Sequence, residues 1–320
     1  MTKRKLVITQ DLNQKQINEI TSIIPDWEVV AGRDKSVWQD HLKDAEVIAG
    51  WKKGMEEDCL AADSTLKWVQ SWSAGVNNMP LQALKEKEVL LTSANGVHAF
   101  PISETIFALM LGLTRKIHTY VRNQSERKWH HADMKLEIHE KTIGIIGVGA
   151  IGQETAKIAK AFGMNVLGVR HSGKPAEFVD KMYTSDQLDQ VLPQCDYVVV
   201  TLPLTKETHQ LFTYEQFKKM KSSAFFINIG RGETVAEEDL IIALQEKEIA
   251  GAGLDVFEIE PLGEKSLLWE FENVIITPHT SGSTEYYNER LAETILIPNL
   301  KQYLTEDTPS INLVDYKKGY

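Results

Sequence analysis

Cysteine is nearly absent: Cys59 and Cys195 are the only two in 320 residues. That excludes a disulfide framework and a cysteine-based zinc site, and it points to a reducing cytoplasm. No apolar run reaches about 18 residues, which excludes a helical membrane span. The opening MTKRKLVITQ lacks the long apolar stretch of a signal peptide. Basic residues are in deficit, 35 Lys and Arg against 45 Asp and Glu, for a net charge of −10. A phosphate backbone needs a basic face, so nucleic acid is not an expected partner; the cluster Lys3-Arg4-Lys5 reads as the approach to a surface strand. His41, His118, His139, His171 and His209 show no metal-ligand spacing, so no metal is expected. Low-complexity linkers and short repeats are missing too.

What is there is the composition of a globular protein, 42% hydrophobic and 25% charged, with length enough for two cores. Short apolar runs alternate with longer amphipathic segments. Residues 5–9, 46–50, 66–70 and 89–92 read as buried strands, and a second series follows at 142–147, 165–170, 197–202, 224–229, 251–256 and 274–277. Strands separated by helices indicate parallel sheets with right-handed crossovers. Their number is too large for one sheet, so the predicted class is α/β with two doubly wound domains, 99–287 and a discontinuous 1–98 with 288–320. Pro101 fits a first helical position, with Ile102, Ile106, Leu109, Leu113 and Ile117 on one face of a helix near 101–120. Thr213–Gln216 and Thr234–Glu237 have the spacing of capping boxes. A last helix over roughly 285–304 carries the chain back to the first sheet.

IIGVGAIG (145–152) follows one predicted strand and precedes a helical segment. In that context Gly147 permits a tight turn, Gly149 lets backbone approach a pyrophosphate, and Gly152 lets helix pack on strand. The helix N-terminus offers free N–H groups to the anion. The acidic residue that would hold an adenosine ribose hydroxyl is expected about 20 positions on. VRHSGK (169–174) stands there instead. Without that carboxylate a 2′-phosphate is not repelled, and Arg170, His171, Ser172 and Lys174 can all donate to it. The expected cofactor is therefore NADP(H) in preference to NAD(H). The same stretch also reads as a solvated basic loop beside NAD held by its other contacts.

Three further segments begin with predicted strands and carry polar residues at the C-terminal end, the edge where open α/β sheets bind ligands. They are FINIGRGETV (226–235), LDVFEIEPLG (254–263) and VIITPHTSGST (274–284). Arg231, Glu260 and His279 then suit the reduction of a 2-oxo acid. Imidazolium His279 donates the proton that the new alkoxide needs. Glu260 favours the charged ring and orients it, and Arg231 holds the substrate carboxylate and polarises the carbonyl.

NGVHAFPISETIFALML, KTIGIIGVGAIG, TLPLTKETHQLF, INIGRGETV, LDVFEIEPL and ITPHTSGST stand in order along the chain. Together they resemble the blocks of the D-isomer-specific 2-hydroxyacid dehydrogenases, over nearly the whole chain and most strongly from about 94 to 284. The resemblance implies a Rossmann cofactor domain, a flavodoxin-like substrate domain with a cleft between, and Arg231, Glu260 and His279 as the catalytic set. It also implies that Asp255 binds the nicotinamide carboxamide and that Ala150, Ile151, Leu202, Pro203, Thr208, Ile229, Gly230 and Gly282 line the cofactor. SAGVNN (73–78) is similar to the substrate loop, with backbone N–H groups at Gly75 and Val76 holding the carboxylate. Trp51, just past a predicted strand, either faces the substrate or packs in the core. A homodimer through the cofactor domain is implied as well.

The missing ribose carboxylate is similar to the NADP-using glyoxylate and hydroxypyruvate reductase branch. The Thr-Ser-Gly after His279 departs mildly from the family pattern. An NAD-dependent enzyme of the D-lactate or phosphoglycerate type is the alternative, although the latter wants basic groups that SAGVNN does not offer. A cofactor-sensing corepressor on the same scaffold is the alternative from another class. It would not need the full catalytic trio, and no basic DNA-binding segment accompanies it. No chemistry falls to His98 or to His130 and His131.

Overall fold

The computed structural model describes residues 3–76, 78–131 and 135–316. The chain divides into two compact units. One runs up to Val97 and resumes at Thr284; the other is His98–Ser283.

The first unit is built on a five-stranded parallel sheet of β1 (Lys5–Ile8), β2 (Glu28–Ala31), β3 (Val47–Ala49), β4 (Trp68–Gln70) and β5 (Leu90–Thr92), in the order β2-β1-β3-β4-β5. The chain reverses its direction of travel across the sheet between β1 and β3. There Thr9 Oγ1 donates to the carbonyl of Gly50 over 2.6 Å. One sheet face packs on the C-terminal helical run through Leu291, Leu296, Leu300 and Tyr303, so the chain does return to its first sheet. That run is not one α-helix. Residues 292–296 form a π-turn ahead of the helix Ile297–Glu306. Pro298 explains it, since proline has no N–H for the α-ladder.

The second unit holds a seven-stranded parallel sheet. Its strands are β6 (Thr142–Ile146), β7 (Asn165–Val169), β8 (Lys181–Tyr183), β9 (Tyr197–Val200), β10 (Phe225–Asn228), β11 (Gly251–Leu254) and β12 (Val274–Ile276). The order is β12-β11-β10-β9-β6-β7-β8, all parallel. Both faces are covered: along β9, Tyr197 and Val199 belong to one apolar cluster, Val198 and Val200 to the other. This is why the strands read as continuous apolar runs rather than as alternations. The reversal point lies between β6 and β9, where a doubly wound sheet opens its ligand crevice.

Several local expectations change. β2 and β8 are sheet edges with one neighbour each, and neither shows the apolar run that reveals a central strand. The helix over Pro101 begins at Ala99, so Pro101 sits in its first turn rather than at its first position. Ile102, Ile106, Leu109 and Leu113 are buried as expected. Lys116, with φ 53°, then breaks the helix, and Ile117 opens a separate one, Ile117–Ser125, where it is 52% exposed. The capping box at Thr213 and Gln216 forms. The one expected at Thr234 does not: its hydroxyl donates to the Arg231 carbonyl over 2.7 Å, and Ala236 caps the helix Glu237–Gln245. Both cysteines are buried, and burial pushes each thiol up to about 12, so neither is a nucleophile at neutral pH. Among the described residues no helix is long and apolar enough to cross a membrane.

Candidate active site

All strands of the second sheet are parallel, so the turns after β6, β9, β10, β11 and β12 open on one edge. The Gly-rich turn after β6 has the three properties its glycines predict. Gly147 adopts φ 109°, and a Cβ there would lie 3.1 Å from the backbone nitrogen of Leu202. Gly149 faces open space, with nothing within 4 Å of a Cβ position. At Gly152 a Cβ would fall 2.6 Å from the Gly147 carbonyl oxygen, so only glycine lets the helix Ala150–Ala161 start this close to β6. No side chain caps that helix and its first turn has no acidic residue. The donors of its first turn, including Ala150 and Ile151, and the open flank at Gly149 fit a dinucleotide pyrophosphate. Thr201 Oγ1 donates to Gly147 O over 2.5 Å, which ties the turn after β9 to this one.

That second turn is closed by Thr208. Its hydroxyl donates to Pro203 O over 2.7 Å and accepts the Thr205 N–H over 2.7 Å. Leu202 is half-buried and Pro203 exposed. Gly230, after β10, packs directly on this segment, since a Cβ would lie 2.7 Å from the Leu202 carbonyl oxygen. The Ile229 side chain is buried in the apolar cluster, which leaves its backbone as the part near the edge.

Arg231 owes its backbone position to Asn228, a residue the sequence reading passed over. Asn228 is 1% exposed; its Oδ1 accepts the Gly230 N–H over 3.0 Å and its Nδ2 donates to Arg231 O over 3.1 Å. One amide thus satisfies both polar groups of the turn. The signal available in sequence was a lone Asn at the end of an apolar strand, where a buried polar group must be hydrogen-bonded. The Arg231 side chain is exposed and its Nη1 donates to Gly230 O over 2.7 Å.

Asp255, after β11, is fully buried. Its Oδ1 accepts from Thr277 Oγ1 over 2.5 Å and from the Thr280 N–H over 3.0 Å, and its Oδ2 accepts the Ser281 N–H over 3.0 Å. This carboxylate folds the turn after β12 into shape. Within that turn His279 adopts φ 52°, and its N–H donates to Asp255 O over 2.9 Å. His279 Nδ1 then meets Glu260 Oε2 at 2.7 Å, and the other Glu260 oxygen accepts the Phe257 N–H over 3.1 Å. With Nδ1 engaged by a carboxylate, Nε2 is the nitrogen left to act on a ligand. Gly282 closes the turn, its carbonyl 2.9 Å from His98 Nδ1.

After β7, Arg170 is half-buried, and its N–H donates to Tyr183 O over 3.1 Å. His171, Ser172 and Lys174 are exposed around Gly173, whose φ is 61°. The loop is compact: Gly173 N–H donates to Arg170 O over 3.0 Å. On the turn after β9, hydrogen bonds from Thr205 and the backbone hold the Glu207 carboxyl below its ordinary range, with smaller contributions from Lys206 and His171.

In the first unit, Trp51 follows β3 and its half-buried ring packs on the cluster containing Trp38, Met55 and Val76, as the core reading expects. Its Nε1 is buried and without a partner among the described residues. Gly75 is exposed with open space beside it, whereas the Val76 side chain is 2% exposed. Asn77 of the same loop lies outside the described residues. A polar network fixes the loop's start: Gln70, fully buried, donates to Ser71 O over 2.9 Å, and Ser71 Oγ donates to Ser73 O over 3.1 Å.

Comparison with known proteins agrees with this architecture. Residues 107–281, more than half the chain, match the model of the D-isomer specific 2-hydroxyacid dehydrogenase NAD binding domain. A D-3-phosphoglycerate dehydrogenase from Methanocaldococcus jannaschii is 32% identical over 94% of this chain, which spans 57% of that protein's length. A glyoxylate/hydroxypyruvate reductase B from Escherichia coli is 37% identical over 75% of this chain and 76% of its own. Among solved structures, a D-isomer specific 2-hydroxyacid dehydrogenase from Xanthobacter autotrophicus Py2 in complex with NADPH and MES superposes with a TM-score of 0.80, at 28% identity and over 100% of both chains. With its glycine turn, its paired Glu260 and His279 and these relatives, the chain belongs to the D-isomer-specific 2-hydroxyacid dehydrogenases, a family of NAD(P)-dependent oxidoreductases.

Proposed function

We propose that this protein reduces a small 2-oxo acid of the glyoxylate or hydroxypyruvate kind to the D-2-hydroxy acid, with NADPH as the preferred cofactor and NADH as a possible substitute. The observation that carries the reading is the 2.7 Å contact between His279 Nδ1 and Glu260 Oε2 on the sheet edge that also bears the Gly-rich turn. The nicotinamide cofactor, when bound, supplies the hydride. The chain's own residues do the rest. His279 gives a proton from Nε2 to the oxygen that gains charge. Glu260 holds the ring by Nδ1 and stabilises its charged form. Arg231 grips the substrate carboxylate in a geometry that guanidinium matches with two parallel bonds. Gly75 and Val76 would add backbone donors, and Trp51 a wall.

Gly147, Gly149, Ala150, Ile151 and Gly152 would hold the pyrophosphate, and Arg170, His171, Ser172 and Lys174 a 2′-phosphate. Leu202, Pro203, Thr208, Ile229, Gly230 and Gly282 would line the remainder. Asp255 would contact the carboxamide, as the family resemblance implies. Comparing kcat/KM for NADPH and NADH tests the cofactor assignment; a clear NADH preference contradicts it.

The similarity to the phosphoglycerate dehydrogenase supports a second reading, an NAD-dependent enzyme of that type. Against it, the segment SAGVNN has no basic side chain for a substrate phosphate. We also infer a cytoplasmic homodimer. Ile117, Val121 and Trp129, at 52%, 59% and 97% exposure, are large apolar side chains of the cofactor unit that a second copy would cover. Light scattering tests it, with a monomer as the contrary result.

A further inference from the structure

Glu237 lies outside the catalytic set, and as a capping-box partner for Thr234 it has no role in this structure. Its carboxylate instead leaves its own helix. Oε2 accepts the backbone N–H of Glu258 over 3.1 Å. Glu258 sits between Phe257, whose N–H is bound by Glu260 Oε1, and Glu260 itself. The same backbone is pressed against Gly232, where a Cβ would fall 1.8 Å from the Phe257 carbonyl oxygen and 2.5 Å from the Glu258 nitrogen. Two turns therefore meet here, the one that carries Arg231 and the one that carries Glu260. Close packing leaves no room for a side chain between them, and a single side-chain hydrogen bond fixes one against the helix that follows the other.

We propose that Glu237 is a positioning residue for the reaction: by binding the Glu258 N–H it holds the 257–260 turn so that Glu260 meets His279. The inference rests on the catalytic reading of Glu260 and His279 given above. Glu237 is half-buried. Burial pushes its carboxyl above the ordinary glutamate range, the charge of Glu258 adds to this, and the Glu258 N–H opposes it. Such a group is costly to bury unless its bond is made. A competing role is available at the same position. An acidic residue in a first helical turn stabilises that helix through its charge alone. The two roles separate on substitution, because Gln keeps an acceptor oxygen without the charge.

The test is a double-mutant cycle on the full-length protein with NADPH and glyoxylate, using E237Q, E237A, E237M, E260Q and the E237M/E260Q pair. Amide hydrogen exchange over residues 255–262, without cofactor, gives a readout independent of turnover. Positioning predicts that E237A and E237M lower kcat by about tenfold or more, as small misplacements of reacting groups do, with KM for NADPH unchanged and exchange at Glu258 accelerated. E237Q restores both rate and protection, and E237M costs little further once Glu260 is already changed. Wild-type kcat in E237A and E237M, failure of E237Q to rescue, or full additivity with E260Q each overturns the proposal. The E260Q arm stands apart: if that variant alone keeps the wild-type rate, the catalytic reading fails and takes this inference with it. If E260Q is crippled while E237M is not, only the inference fails.

Discussion

His279 and Glu260 stand on turns that follow two different strands, yet their side chains meet at 2.7 Å. The pairing is not left to those two side chains. Asp255, buried beneath them, accepts from Thr277, Thr280 and Ser281, so the loop that presents His279 is held from both sides. Fixed groups of this kind stabilise a developing charge without reorganising when it appears.

Replacing the carboxylate partner follows directly. E260Q is expected to lower kcat for 2-oxo acid reduction by about tenfold to a hundredfold, a part of the usual contribution of general acid catalysis. KM for NADPH should stay close to wild type. Steady-state kinetics with both substrates varied checks it; an unchanged kcat removes Glu260 from the mechanism.

Arg170 determines the second prediction. R170D places a carboxylate where a 2′-phosphate would lie and removes a donor. A hydrogen bond between charged groups contributes about 1.5–3 kcal/mol, so the ratio of kcat/KM for NADPH over NADH should fall by about tenfold or more. A ratio that does not move means the loop points into water.

Asn228 is the third. Its amide serves both Gly230 and Arg231, and the site is buried. N228A leaves the Gly230 N–H unsatisfied and removes one of the donors to Arg231 O, which Thr234 still holds, and should cost about 1–3 kcal/mol of stability. It should also raise KM for the 2-oxo acid more than KM for NADPH, because Arg231 loses its fixed turn. Denaturant unfolding and kinetics on the same preparation separate the two effects.

Glu46 gives a pH dependence in the first unit. Burial alone would raise its carboxyl. Hydrogen bonds from Arg4, at 2.6 and 2.9 Å, and from Tyr303, at 3.0 Å, outweigh that and hold it below the usual value of 4.5. A carboxyl depressed on folding adds stability that is fully present above its unfolded value and is lost as pH falls through the folded one. Thermal unfolding of the wild type should therefore drop in Tm below about pH 4.5, while E46Q should start lower and show a flatter acid limb. Parallel acid limbs in the two proteins contradict the assignment.

The sequence disclosed the parts governed by burial on both faces and by glycine. Tyr197–Val200 reads as a central strand because both of its faces are apolar, and Gly147 and Gly152 have steric reasons that are legible from spacing. β2 and β8 were not legible because each is a short edge strand that is partly exposed, whereas the edge strands β5 and β12 keep an apolar run. Thr234 had the spacing of a cap, but a hydroxyl can bond whichever backbone group lies nearer, and here that is the Arg231 carbonyl. The same limit hid Asn228, Asp255's hold on the His279 turn, and Glu237. Each acts on a neighbouring turn brought close only by the order of the strands, which spacing along the chain does not reveal. Arg231, Glu260 and His279 were picked out in the sequence because the proposed chemistry calls for those residue types at the C-terminal edge, and the structure brings two of them, Glu260 and His279, into contact.

Proton donation by His279 is the step on which the proposed reaction turns. Wild-type protein and H279A, given saturating NADPH and a panel of small 2-oxo acids, test it by the rate of NADPH consumption. The wild type should turn over glyoxylate or hydroxypyruvate, and H279A should be slower by about a hundredfold or more while still binding NADPH. An H279A protein that reduces the same acid at the wild-type rate would contradict the mechanism.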